Sequence, residues 1–227
     1  MIRLPMALRL PRHRLMFLVL WLPYIGLYQL INRFPVFAPT ELPMTALDRA
    51  APFLPELLPL YVAYIPLFWW TLARSENEVV ANRIFYATHL QLLLCAAVWI
   101  LFPVTMAREH FYLAASYNWA DTFWRWFDAP NNCLPSLHAA NGLLFIQFNW
   151  HRPARWLHTA VAIAIIVSTV LVKQHYVVDL VAGALVYAVA AAFLRRLVLV
   201  PRDPSFKRAS LRFGPREVGG PKTGAVS

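Results

Sequence analysis

Hydrophobic runs alternate with short polar segments along this chain, and the runs have lengths that suit helices in a lipid bilayer. One crossing of a bilayer core takes roughly 20 helical residues. On that measure the pattern predicts six helices, over residues 15–31, 57–72, 84–102, 136–149, 156–172 and 176–197. The breaks between them carry proline, arginine and acidic residues, which interrupt apolar helices. The pattern therefore predicts an all-α integral membrane protein, a bundle of six transmembrane helices.

Polar segments at both ends bound the predicted membrane domain. Residues 1–14 are basic, residues 15–198 hold the six helices, and residues 199–227 form a basic tail with glycine and proline. We expect the tail to be disordered because it lacks the apolar residues that a packed core needs. In the first connection, Thr45 and Asp48 have the spacing of a capping box, which predicts a short helix lying in the membrane interface.

Composition and charge narrow the class of protein. The chain has 227 residues, of which 59% are hydrophobic and 14% are charged, and this is too apolar for an ordinary soluble domain. The formal charge of +10 does not indicate a nucleic-acid partner, because the basic residues lie at helix ends and in the tails.

The distribution of lysine and arginine predicts the orientation in the membrane. With the N-terminus inside, five of the 21 basic residues fall on the outer side: Arg33, Arg49, Arg108, Arg125 and Lys173. The positive-inside rule then predicts that both termini are cytoplasmic. The connection over residues 103–134 lies on the outer side, and its aromatic residues suit the membrane–water boundary, as an anchor or as a grip on lipid. They are Trp119, Phe123, Trp124, Trp126 and Phe127.

The first candidate for chemistry is the pair His175 and Asp179. Four residues apart, they share one face if the segment is helical. A carboxylate one turn away can hold an imidazole in one tautomer and stabilise its cation, which suits a nucleophilic or acid–base histidine. The alternative is a contact that only joins two helices. Gly183 continues the same face and leaves room for a neighbouring segment.

The second candidate stretch begins at Pro135, which can end the preceding loop. Ser136 is a good cap for the helix that follows, and a helix start can hold phosphate through its free N–H groups. His138 then lies in the first turn, beside such an anion. Thirty-seven residues separate His138 from His175, enough for one crossing and a return, so both histidines are expected at the same surface.

These residues resemble a known family. Pro135-Ser136-x-His138, then Ser168, then His175-x-x-x-Asp179, is similar to the type 2 phosphatidic acid phosphatase superfamily of membrane phosphoryl-transfer enzymes. The chain departs from that pattern in two places. Thr169 stands where the last motif usually has arginine, and the first motif, a lysine followed seven residues later by Arg-Pro, is missing, with Arg108 the nearest candidate. These departures, together with Asp48-x-x-x-Pro52-Phe53-x-Pro55, resemble the inositol phosphorylceramide synthase branch and its bacterial relatives.

The resemblance implies phosphoryl transfer through a phosphohistidine. We expect His175 to be the nucleophile, Asp179 to orient it, and His138 to act as general acid and then general base. The predicted ligands of the substrate phosphate are Ser136, Arg108 and Lys173. Lys173 has the alternative role of reaching the membrane boundary as a surface cation. No cofactor and no metal are predicted, because protein cations replace the metal and no carboxylate cluster suggests magnesium.

The predicted partners are the bilayer and a lipid phosphate or phosphodiester substrate, and the sequence carries no signal for an oligomeric state. The predicted location is the bacterial inner membrane, with the active site on the outer face. Phosphatase and phosphotransferase share the first half-reaction, so the histidines do not separate them. Two other classes stay open: a catalytically inactive lipid-binding scaffold, and a haem protein with His138 and His175 as axial ligands.

Overall fold

The computed structural model describes residues 1–9, 12–108, 111 and 128–200, and in these the chain is mostly helical. In chain order the elements are β1 (Ile2–Pro5), α1 (His13–Arg33), β2 (Thr40–Glu41), α2 (Ala46–Ala50), a 3-10 helix (Pro55–Leu57), α3 (Leu58–Val62), α4 (Tyr64–Ala73), α5 (Glu78–Leu101), β3 (Val104–Thr105), α6 (Leu137–Asn149), α7 (Arg155–Leu171), α8 (Val177–Arg196) and β4 (Leu197–Val200). The aromatic residues between 119 and 127, the cation Arg125 and the tail from residue 201 lie outside the described residues.

Helix α6 lies at the centre of the bundle, where it packs against α4, α5, α7 and α8. Its buried positions Ala139, Ala140 and Gly142 are small, which lets the neighbouring helices approach closely. The helix that carries His138 is therefore enclosed by most of the long helices of the fold.

Three stretches are long and apolar enough to cross a membrane: Pro55–Ala73, Glu78–Leu101 and Val177–Arg196. Helix α7 is apolar as well but has only 17 residues. The protein is thus a mostly helical membrane protein with three candidate spans among its described residues, and the count of six crossings stays a prediction.

The predicted boundaries fit α6, α7 and α8 closely, but two other helices differ. The second predicted helix is divided at Ala63 into α3 and α4, and it is preceded by the 3-10 turn. Helix α5 begins at Glu78 rather than at residue 84, because Asn77 caps it by accepting a hydrogen bond from the Val80 N–H at 3.0 Å. The polar residues Glu78, Asn82 and Arg83, which fell in the predicted break between two helices, belong to the first turns of α5.

Two short parallel strand pairs add to the helices, although the sequence suggested none. β1 pairs with β4 from Ile2–Leu197 to Pro5–Val200, and β2 pairs with β3. Ala7 and Leu8 follow β1, and their N–H groups donate hydrogen bonds to the side chain of the buried Asn82. The Asn82 amide in turn donates to the Leu8 carbonyl. The boundary expected between residues 198 and 199 falls inside β4.

Candidate active site

The short helix α2 holds one edge of the site. The predicted capping box is present: the Thr45 hydroxyl accepts from the Asp48 N–H, and the Asp48 carboxylate accepts from the Thr45 N–H at 2.8 Å. The other oxygen of Asp48 accepts from the N–H of Val177, the first residue of α8, at 2.7 Å. Asp48 therefore ties α2 to the start of the helix that follows His175.

The Asp48 carboxyl is adapted to this double role. Burial raises the pKa of this group, but the hydrogen bonds from Thr45 and Val177 and the charge of Lys173 outweigh burial, so the net pKa lies below its ordinary value. The charged form is therefore the one that fits the site.

His175 and Asp179 form the predicted pair, with 3.2 Å between Nδ1 and the Asp179 carboxylate. The two residues do not share a helix face, because α8 begins at Val177 and His175 lies in the loop before it. The same Asp179 oxygen also accepts from the Tyr176 N–H at 2.9 Å, so it caps the helix start while it holds the imidazole. With Nδ1 donating to this carboxylate, Nε2 of His175 keeps its lone pair for a substrate.

Ser136 caps α6, as predicted, by accepting from the Ala139 N–H at 3.3 Å. Its own N–H donates to the Asp179 carbonyl at 3.0 Å, which joins the start of α6 to the first turn of α8. His138 follows in the first turn of α6, and its ring centroid lies 5.9 Å from that of His175. Reacting groups about 3 Å from a central atom are in near-attack range, so one phosphorus can lie within reach of both rings.

Gly183 makes this approach of the two helices feasible, as its position in the sequence suggested. A Cβ atom built at Gly183 would lie 2.4 Å from the Ser136 carbonyl oxygen and 2.9 Å from Cβ of Ala139. The first obstacle is backbone, which cannot rotate away. A glycine is therefore required where α8 crosses the start of α6.

A cavity of about 340 Å³ leads to the two histidines from between α1, α3, α4 and α5. Six tryptophan and tyrosine side chains line its wall: Trp21, Tyr24, Tyr28, Tyr61, Tyr64 and Trp99. Polar groups collect at one end, where His138 and His175 meet Asp128 and Asn132. Among the described residues that line it, none is lysine or arginine, so the cavity suits an apolar chain whose polar end lies at the histidines.

Arg108 is buried beside the loop that bears His175, and it is not among the described residues that line this cavity. Its guanidinium donates hydrogen bonds to the side-chain oxygen of Gln174 and to the backbone oxygen of Asp128. Gln174 directly precedes His175, so Arg108 joins two loops at the mouth of the site. It contributes positive charge there without lining the cavity.

Lys173 points to the other side of the same loop. Its ammonium donates to the carbonyls of Asp48 at 3.1 Å and Ala51 at 2.8 Å, and it is 4% exposed. Its backbone is in the left-handed region, with φ of 54°, which is uncommon for a residue with a side chain. Burial lowers the pKa of Lys173, and the charge of Asp48 partly offsets this. The structure thus brings Ser136, His138, His175 and Asp179 together, and it directs Lys173 toward α2.

Asp128 is a site residue that the sequence reasoning missed. It is 6% exposed, and its carboxylate accepts from the hydroxyls of Tyr28 and Tyr61, each at 2.6 Å, and from the Asn32 amide at 2.7 Å. No spacing rule links these residues, since the partners come from α1 and α3. The only signal was an acidic residue in a mainly aromatic loop, and Glu109 and Asp121 in the same loop give that signal equally.

Two facing histidines, one of them paired with a carboxylate, at the end of an aromatic cavity in a helical membrane protein define a narrow class of site. The chain belongs to the PAP2 superfamily, which it matches over residues 44–193, more than half of its length. Membership indicates an enzyme of the phosphatase or phosphotransferase type that acts on a phosphate ester at a membrane.

The comparison with individual proteins adds little beyond the family. The chain is 27% identical over 88 residues to a protein of Methanocaldococcus jannaschii described as uncharacterized, a match that covers 38% of this chain and 37% of that protein. No solved structure shows a significant match.

Proposed function

We propose that this protein is a membrane-embedded enzyme that transfers phosphoryl groups of lipid phosphates or phosphodiesters through a phosphohistidine. The observation that carries the proposal is the pair of histidines, 5.9 Å apart, with Asp179 bound to one of them. The superfamily supports the reaction type, while the intermediate and the lipid are the proposal.

In the first half-reaction, Nε2 of His175 attacks phosphorus. The N–P bond forms as the P–O bond to the leaving alcohol breaks, and Asp179 stabilises the positive charge that develops on the imidazole. His138 gives its proton to the leaving oxygen.

In the second half-reaction, His138 takes a proton from the incoming water or alcohol. The oxygen of that acceptor attacks phosphorus, the N–P bond breaks, and His175 returns to its neutral form. His138 therefore begins the first half-reaction protonated and begins the second half-reaction neutral.

The phosphate oxygens are assigned to the start of α6, where Ser136 and the free N–H groups of the first turn lie. Arg108 and Lys173 supply positive charge from behind the loop that bears His175. Both already bind oxygen atoms of the protein, so the phosphate meets less positive charge than the family's usual arginine would supply.

The substrate enters from the side, from the outer leaflet of the bacterial inner membrane. An aromatic cavity that opens between helices suits a lipid chain, and its polar end at the histidines suits the phosphate ester. The enzyme is anchored by the same helices that form the cavity wall.

Transfer to a lipid alcohol, as in the inositol phosphorylceramide synthase branch, is favoured by the sparse positive charge. A phosphodiester carries less charge than a phosphomonoester and needs fewer cations around it. The phosphatase alternative stays open, because Lys173 lies in the loop that bears His175 and Arg108 lies beside it. Both can offset the greater charge of a phosphomonoester.

The nucleophile is tested by substitution and trapping. His175→Ala and His138→Ala should each abolish turnover of a labelled lipid phosphate, while Asp179→Asn should leave a small residual activity. Acid-labile label should be trapped on His175 of the wild-type protein. Label on His138 instead would reverse the two roles, and full activity of His175→Ala would reject the mechanism.

The acceptor is tested by product analysis in detergent. The products formed from phosphatidic acid are to be compared with those formed from a phosphodiester lipid in the presence of inositol or a lipid alcohol. A transferase forms a new phosphodiester in proportion to the acceptor. If free phosphate is the main product and its amount does not change with any acceptor, the result contradicts the transferase and supports the phosphatase.

A further inference from the structure

His138 is held by packing rather than by hydrogen bonds. Among the described residues, no hydrogen bond reaches either nitrogen of its ring. Instead, the ring of Tyr61 lies 4.2 Å from it, centroid to centroid, and that of Tyr64 lies 4.7 Å from it. His175 differs, because Asp179 fixes its ring. A proton donor must point at the oxygen that it protonates, so the orientation of His138 depends on the two tyrosines.

Both tyrosines are fixed at their hydroxyls. Tyr61 donates to Oδ2 of Asp128 at 2.6 Å, and the Tyr64 hydroxyl accepts from the Asn141 amide at 2.6 Å. A ring that packs on an imidazole and is anchored at its far end has little freedom to tilt. The anchor at Asp128 is itself rigid, since Oδ1 accepts from Tyr28 and from Asn32.

We propose that Asp128, acting through the Tyr61 ring, is a positioning residue for proton transfer at His138. This inference rests on the proposed function, since it assigns His138 the proton of the leaving alcohol. Loss of the anchor lets the Tyr61 ring tilt, and the imidazole follows it away from the ester oxygen. The P–O bond must then break with less assistance from a proton.

The design of the test uses the dependence of proton transfer on the leaving group. A 4-nitrophenyl ester leaves readily without a proton, whereas an alkyl ester of the same phosphate group needs one. A misplaced general acid therefore harms the alkyl ester selectively. A general loss of folding or of phosphate binding harms both esters alike.

The informative variant is Tyr61→Phe, which keeps the ring and removes the hydroxyl that binds Asp128. The matched control is Tyr28→Phe. It removes a donor from the other oxygen of Asp128, and its ring stacks edge-on with Trp99 at 5.5 Å and has no ring contact with His138. Asp128→Asn is the second variant on the same path, and His138→Ala gives the full loss of the general acid.

We expect Tyr61→Phe and Asp128→Asn to lower kcat/KM about tenfold for the alkyl ester and less than about threefold for the 4-nitrophenyl ester. The tenfold loss is smaller than the roughly 10²–10⁴-fold contribution of a general acid, because His138 is misplaced but still present. Tyr28→Phe keeps the Tyr61–Asp128 bond and leaves Asn32 on the other oxygen, so it should change the ratio between the two esters less than Tyr61→Phe does. If Tyr61→Phe lowers kcat/KM by the same factor for both esters, or changes it for neither, the inference is overturned.

A second measurement does not need turnover. The rate at which diethyl pyrocarbonate modifies His138, followed by mass spectrometry, should rise in Tyr61→Phe and Asp128→Asn, and it should rise less in Tyr28→Phe. If the wild-type protein cleaves neither ester, the proposed function fails, and this rate still decides whether Tyr61 holds His138. An unchanged rate in both variants would show that it does not.

Discussion

At the scale of single residues, Asp48 links three parts of the site. Its two carboxylate oxygens bind Thr45 and Val177, and its carbonyl binds the ammonium of Lys173. Through these contacts it braces both ends of the loop that bears His175. We infer that Asp48 acts on the site by fixing this loop.

A dependence of stability on pH follows from the Asp48 carboxyl. Its folded-state pKa lies below the ordinary value, so the folded protein binds fewer protons than the unfolded chain between those two pKa values. The stabilisation is complete above the ordinary pKa, about 3.9 for Asp, and is lost as the pH falls through the folded pKa. Thermal unfolding in detergent should therefore show a smaller loss of Tm between pH 7 and pH 3 in Asp48→Asn than in the wild type.

The comparison uses the difference between the two proteins, since other carboxyls titrate in both. Asp48→Asn should also be less stable than the wild type at pH 7, by about 1 kcal/mol for the weakened hydrogen bonds. Identical pH dependence in the two proteins would show that Asp48 is not the carboxyl responsible.

Residues with a local rule behind them could be predicted from the sequence. Ser136 was expected as a helix cap and Thr45 with Asp48 as a capping box, because caps depend on neighbours within four residues. Asp128 could not be predicted, because its partners Tyr28 and Tyr61 are far away in the chain and only the fold brings them together. The roles of Ser136, Arg108 and Lys173 toward a phosphate stay predictions.

At the scale of elements, the contact between α6 and α8 positions the two histidine motifs relative to each other. Gly183 allows the backbone of α8 to pass close to Ser136. Any separation of these helices also displaces Ser136 from Asp179, since the Ser136 N–H binds the Asp179 carbonyl.

Gly183→Ala should therefore lower both stability and activity. Because the added methyl meets a backbone oxygen, the helices must move apart, at a cost of about 1–3 kcal/mol. The control is Gly26→Ala in α1, where a Cβ has no heavy atom within 4 Å. The measurements are Tm in detergent and turnover of a lipid phosphate, and a Gly183→Ala protein with the Tm and turnover of Gly26→Ala would contradict the close approach.

Element positions were predictable where the apolar pattern is regular, as in α6, α7 and α8. The early start of α5 was not, because Asn82 and Arg83 look like surface residues in sequence. In the fold Asn82 is fully buried against the N-terminal segment, and Arg83 donates to the carbonyl of Leu194. The pair His175 and Asp179 was predicted, and so was a helix start between them, but the cap that Asp179 forms with the Tyr176 N–H was not, because a carboxylate that caps a helix resembles one in its interior.

At the scale of the whole molecule, polar segments gather at two opposite ends of the bundle. The site end holds α2, β2, β3 and the loop around His175. The other end holds β1, β4 and the turn between α6 and α7, where Arg152 donates to the carbonyl of Arg74 and His151 lies 3.1 Å from Glu76. The pairing of β1 with β4 puts residues 2–5 and 197–200 at one end, and the orientation with the active site outside stays a prediction.

The topology is tested by cysteine labelling in intact cells. Ala38→Cys, in the connection at the site end, should react with a membrane-impermeant maleimide. Arg3→Cys and His151→Cys, at the other end, should react only after the membrane is opened. The native Cys95 and Cys133 are buried and serve as the background, measured in the wild type. Labelling of Arg3→Cys in sealed cells would invert the proposed orientation.

The pairing of β1 with β4 has a consequence for biosynthesis. Ile2 leaves the ribosome before every described helix, yet its partner Leu197 follows the last of them. The N-terminal strand must therefore wait with its N–H and C=O groups bound to water until α8 has been inserted. When the two strands join, the segments before the first and after the last described helix are held together, so this pairing forms only after all the described helices are in place.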